Sequence, residues 1–214
     1  MSVGRALRLS LVDFYHHSWR LLILNTVLSV VLIAVLVAAL FAPLALVLVV
    51  LLGPLAAALM HCAVTLAQTD DLTLRDATIG LRLHWRRGFA LAFLAGAVAV
   101  AGWVAVTFYG RAGAVAWPLG AAVLYLLLGF YVLQLHLWPL AIHEHDRPLT
   151  TLVRAAFLAL IRRPAASVAF GLALLLVNTL GFAAAILPFL TLTVAYSFLA
   201  AAHFALPPSP MREA

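Results

Sequence analysis

Leu21–Thr69 reads LLILNTVLSVVLIAVLVAALFAPLALVLVVLLGPLAAALMHCAVTLAQT, a run without a single Asp, Glu or Arg. The hydrocarbon core of a bilayer is about 30 Å thick, which takes roughly 20 helical residues at about 1.5 Å each. The run is long enough to cross twice, and Pro43 stands near its middle. Proline suits the first turn of a helix, where its missing N–H is not needed. The stretch therefore predicts two membrane helices, 21–41 and 44–67, joined by a tight turn.

Working outward, three more runs lack Asp, Glu and Arg: 88–110, 112–143 and 164–211. The first two hold one span each, at 89–109 and 117–140. The last is divided by Pro188 into 165–186 and 188–206. The expected fold is an all-α, polytopic integral membrane protein with six transmembrane helices. It forms a single domain over 1–206, followed by a short tail at 207–214.

Composition supports the same conclusion. Hydrophobic residues make up 66% of the 214 and charged residues 9%, with a mean hydropathy of +1.15. A soluble domain carries about 25% charged residues, so this chain cannot cover a water-facing surface. All of the Lys+Arg total of 13 is arginine. The arginines cluster between apolar runs instead of forming a basic stripe with interleaved aromatics, which excludes a nucleic-acid surface. Cys62 is the one cysteine; it rules out an internal disulfide and a Cys-x-x-Cys site and reads as a buried thiol. The first apolar stretch is too long for a signal peptide's core and lacks a clear A-x-A site, so it reads as a retained span.

Orientation follows from the arginines. With both termini on one side, that side receives every arginine except Arg111. The positive-inside rule then places both termini in the cytoplasm. Trp19, Trp85 and Trp138 fall at inner ends of spans and Trp103 and Trp117 toward outer ends, as an aromatic belt requires.

An amphipathic segment ending in arginine precedes each odd-numbered span. In the first, Val3, Leu7, Leu11 and Phe14 share a face opposite Arg5, Asp13, His16 and Arg20. The second opens at Thr73 and Asp76, a capping-box pair, with Leu74, Ala77, Leu81 and Trp85 on its apolar side. The third runs from Thr150 to Arg163, with Val153, Ala156, Phe157 and Leu160 inward. Three interfacial helices are expected, their cationic faces toward anionic headgroups. The headgroup contacts fall to Arg20, Arg75, Arg82, Arg86, Arg87, Arg162 and Arg163. Landmarks then recur in register: Arg20, Arg87 and Arg163 precede odd spans, and Pro43, Pro118 and Pro188 open even ones. His61, His136 and His203 follow those prolines near the inner end. This reads as a parallel three-unit pseudo-repeat over 1–70, 71–147 and 148–214.

The span histidines are the first chemical candidates. If the units close into a ring, His61, His136 and His203 approach a shared axis, where three imidazoles could bind a metal or pass protons. The plainer reading is three separate histidines bonding backbone or headgroups, so no metal and no cofactor is expected. His143-Glu144-His145-Asp146 has ligand-type side chains, but Arg147 stands where H-E-x-x-H needs its second histidine. A solvated loop is the simpler account. Asn25, Gln134 and Asn178 lie within spans, as packing partners between helices or as substrate ligands, the former being commoner. No Asp or Glu lies inside a span, which argues against a carboxylate-driven proton or sodium transporter. Gly53-Pro54 interrupts the second span and reads as a locally repaired kink. No G-x-S-x-G, Walker A or G-x-G-x-x-G motif is present, so no enzyme is expected.

The stretch Gly53-Pro54-Leu55-Ala56-Ala57-Ala58-Leu59, the turn Asp70-Asp71, then Leu74-Arg75-Asp76 and His84-Trp85-Arg86-Arg87, with Leu24-Asn25 before them, resembles the YesL-like family of bacterial membrane proteins. Trp138-Pro139-Leu140 fits the same pattern more loosely. Leu55 replaces the family's usual alanine, and the spacer from Asn25 to Gly53 is long. The resemblance implies six spans and a transport-associated role, accessory to a carbohydrate-uptake system. Two other classes stay open: a structural or assembly subunit of a larger membrane complex, and a membrane enzyme acting on lipid headgroups. The expected partners are the anionic bilayer and a membrane protein or transporter component, with no nucleic acid.

Overall fold

The computed structural model describes residues 2–113, 116–184 and 192–207. Its regular structure is helical, with no strand among the described residues. Helix α1 spans Val3–His16, α2 Ser18–Phe41, α3 Leu52–Thr69, α4 Leu74–Arg111 and α5 Trp117–His143. Then follow α6 at Leu149–Arg162, α7 at Pro164–Ala184 and α8 at Val194–Ala205. A 3₁₀ stretch, Pro43–Leu51, leads into α3 with its proline at the start.

Four described stretches are long and apolar enough to cross a membrane: Val47–Thr69, Leu74–Arg111, Trp117–His143 and Pro164–Ala183. A fifth is reached if α1 and Trp19–Val35, bent by 96°, count as one span. The described part of the sixth expected span is the shorter apolar helix Val194–Ala205. Pro188 and the turn expected there lie outside the described residues.

The amphipathic segments differ in how they meet their spans. α1 is separated from α2 at His17, which leaves helical geometry. α6 ends at Arg163, pushed to φ −141°, ψ 61° ahead of Pro164; a residue before proline is steered away from the α region. The second segment is not a separate interfacial helix. The Thr73–Asp76 capping box opens a continuous helix of 38 residues that runs straight into the span. No proline occurs between Leu74 and Arg111 to break it.

α3, α5 and α8 each touch the other two and form the centre. The remaining spans sit in the seams around them: α2 against α3 and α8, α4 against α3 and α5, α7 against α5 and α8. The apolar window of α3 is 56% buried, against 11% in both α4 and α5, which marks α3 as the innermost span. Ala57, Ala63, Ala201 and Ala202, with Met60, Leu66 and Leu199, fill the main core. Small side chains there let backbones approach closely. The closest approach is Gly53 on α3 against Gly88 on α4: a Cβ on Gly53 would stand 2.3 Å from the Gly88 carbonyl oxygen. The Gly53-Pro54 pair lies in the first turn of α3 and serves this crossing, with no break in the helix beyond it.

The expected apolar faces turn inward in part: Val3, Leu7 and Phe14 of α1, Ala77 of α4 and Val153 of α6 pack partly buried against the core, while other residues of each segment lie deeper. In α1 the buried residues are Ala6, Ser10 and Asp13, while Leu11 is exposed. In the first half of α4 they are Gly80, His84 and Gly88, with Leu74 and Trp85 exposed. In α6 they are Leu152 and Ala156, with Phe157 exposed. The small or polar stripe turns inward in α1 and α4 because no water-driven preference exists for burying a large apolar side chain when lipid can cover it.

Candidate functional site

The polar groups concentrate at the arginine-rich end of the bundle, where α3, α5 and α8 finish. His61 sits about two turns from the end of α3, its ring laid over Gly80 of α4. A Cβ at Gly80 would come within 2.7 Å of the His61 Cβ. His61 Nδ1 and His84 Nε2 are 3.3 Å apart. His145, from the turn after α5, meets the His84 ring edge-on at 5.9 Å between centroids.

His136 of α5 is buried and shares a hydrogen bond of 3.0 Å with Ser167 Oγ, in the first turn of α7. His203 of α8 is buried against Asp13 of α1, with Nε2 and Oδ2 at 2.7 Å. The three span histidines are thus distributed over three pairings and do not form one ligand set. Among the described residues no group of three or more His, Cys, Asp or Glu side chains is placed to hold a metal ion. His61 thus bonds to the first half of α4, His136 to the start of α7 and His203 to α1. Asp13 was expected on the outward face of α1; it faces inward because His203 offers a partner there.

The other expected positions resolve individually. Cys62 is buried in the main core. Asn25 is buried on α2. Asn178 Nδ2 donates to the Leu174 carbonyl at 2.8 Å and to Ser197 Oγ at 2.7 Å, joining α7 to α8. Gln134 is buried on α5, and neither end of its amide has a partner among the described residues. His143, His145 and Asp146 are exposed and Glu144 half-buried. His145 pairs with Asp146 at 3.3 Å and Glu144 with Arg147 at 2.9 Å, within the turn itself.

The arginines divide into two groups. Arg87 Nη1 donates to the carbonyls of Ala141 at 2.8 Å and Glu144 at 3.3 Å, and its Nη2 to Arg147 at 2.7 Å. A guanidinium placed on the last carbonyls of α5 satisfies groups that the helix leaves unpaired and opposes its negative end. Arg20 acts alike after α3, donating to the Leu72 carbonyl and lying 3.5 Å from Asp71 Oδ1. Arg75, Arg82, Arg86, Arg162 and Arg163 are exposed. Arg162 and Arg163 border a cavity of about 330 Å³ between α5, α6, α7 and α8, together with His136, Ser167, Phe204 and Pro207.

Sequence reasoning missed Asp13, His84 and Ser167 as partners of the histidines. For Asp13 a signal existed: Ala6, Ser10 and Asp13 make a small, polar stripe at helical spacing, which suits a helix contact inside a membrane protein. Nothing in the sequence linked His136 to Ser167. Compared with family models, with curated proteins and with solved structures, the chain gives no match.

Proposed function

We propose that this chain is a multi-pass protein of the bacterial inner membrane, with six spans and both termini cytoplasmic, that serves transport as an accessory to a carbohydrate-uptake system. The observation that supports the accessory half is that most interior polar groups close on each other, the Gln134 amide being the exception among the described residues. His61–His84, His136–Ser167, His203–Asp13 and Asn178–Ser197 spend their hydrogen bonds on internal pairing. A conduit needs such groups turned toward its solute. The link to carbohydrate uptake rests on the resemblance to the YesL-like family.

The three-unit plan belongs to the same proposal. It is supported by the ring order of the contacts: each central helix touches the other two, and each outer span lies between its own unit's central helix and the preceding one. The histidine pairings run the same way, from the first unit to the second, the second to the third, and the third to the first.

A second reading, a structural or assembly subunit, would place another chain instead of lipid on the flank formed by α4 and α5. Trp103, Phe108, Trp117 and Tyr125 are all more than half exposed there, in a face larger than isolated surface residues would make. One experiment addresses both readings: extraction from the native host in polymer-bounded lipid discs, followed by mass spectrometry and by sugar uptake in a deletion strain. Stoichiometric transporter chains and a loss of uptake are expected. Partners unrelated to transport would favour the assembly subunit. A particle of this chain alone that carries sugar into proteoliposomes would overturn the accessory reading.

A further inference from the structure

Arg20 and Arg87 face the chain that follows the central helix of their own unit and donate to its backbone carbonyls. Arg163 holds the matching place before α7, close to the end of α8, yet the described residues offer it and Arg162 no hydrogen bond or ion pair. A cavity of about 330 Å³ lies beside them instead. Among the described residues its lining has no acidic side chain. It includes two guanidinium-bearing residues, the buried His136–Ser167 pair, and Phe204 and Pro207 as apolar walls. Ser167, in the first turn of α7, reaches the cavity with its side chain, and its N–H is bonded to the Arg163 carbonyl at 3.0 Å.

We propose that Arg162 and Arg163, at the rim of this cavity, bind a phosphate group, carried either by the headgroup of an anionic lipid or by a soluble phosphate ester. Paired guanidiniums match the tetrahedral oxygens of phosphate through parallel N–H donors. The His136–Ser167 hydrogen bond fixes the floor of the site and leaves the arginines as its charged rim. The apolar walls suit the glycerol and first methylenes of a lipid. Arg20 and Arg87, by contrast, cap helix ends internally, and Arg147 pairs with Glu144.

The test uses the full chain, delipidated in neutral detergent. Native mass spectrometry follows retention of added phosphatidylglycerol and phosphatidylcholine, and calorimetry follows inorganic phosphate alone. Preferential retention of phosphatidylglycerol is expected, weakened about tenfold or more by joint Arg162→Gln and Arg163→Gln. The paired Arg111→Gln and Arg154→Gln control, at two exposed arginines outside the cavity lining, should have little effect. Saturable heat with inorganic phosphate that the same pair abolishes would assign the site to a soluble ester; lipid retention without that heat would assign it to a headgroup. If the glutamine pair fails to fold, Arg162→Lys with Arg163→Lys keeps the charge but loses the fork, and should still weaken binding several-fold. Equal retention of the two lipids with no phosphate heat, or a control pair as damaging as the test pair, would overturn the proposal.

Discussion

At the scale of single residues, the contact between Asp13 and His203 ties the first helix to the last. Both side chains are about nineteen-twentieths buried and their polar atoms meet at 2.7 Å. A buried polar atom stripped of its partner costs about 1–3 kcal/mol, and more when charged. Asp13→Ala and His203→Ala should each lower stability by at least that much in thermal unfolding in detergent. The double variant should cost clearly less than the sum, because both orphaned groups are gone. Strict additivity would mean that the pair contributes nothing. Asp13→Asn keeps an acceptor oxygen in place and should retain part of the loss. Spacing alone could not identify this pair: an aspartate on an amphipathic helix ordinarily turns to water, and its inward face depends on an imidazole 190 residues later.

At the scale of elements, arginine and proline set where helices end. Pro164 parts α6 from α7, whereas α4, with no proline, runs its amphipathic and apolar halves together. Arg87 closes α5 by serving carbonyls at Ala141, Glu144 and Arg147. Hydrogen bonds from a charged donor contribute about 1.5–3 kcal/mol each. Arg87→Ala should therefore cost about 2–4 kcal/mol and speed hydrogen exchange in the last turn of α5. Arg82→Ala, on the exposed face of the same helix, should leave both unchanged. Exchange at the end of α5 that ignores Arg87→Ala would show that the cap has no stabilising effect.

At the scale of the molecule, the packed centre and the exposed flank predict opposite responses. Phe170 is fully buried and stacks on Phe204 with ring centroids 4.2 Å apart. Phe170→Ala should cost about 3–5 kcal/mol, as truncated core aromatics do. Trp103 is 72% exposed, so Trp103→Ala should leave the isolated protein's melting temperature nearly unchanged. If another chain covers the α4–α5 flank, that same substitution should weaken the complex captured from native membrane while sparing the fold. A lowered melting temperature for the isolated Trp103→Ala protein would show that the flank packs within this chain.

The helical class, the apolar stretches able to cross a membrane, the capping box at Thr73 and the buried state of Cys62 are readable along the chain. Each follows from forces acting over one helix: bilayer thickness sets span length, and proline or a capped turn sets its ends. Partner choice was not readable. Gly53 against Gly88, His61 over Gly80, Asp13 on His203 and Arg87 on the end of α5 join residues far apart in sequence. Large apolar side chains are as content in lipid as in the core, so hydrophobic patterning does not say which face turns inward. That decision belongs to close backbone approach and polar pairing between helices, and only the tertiary structure makes it.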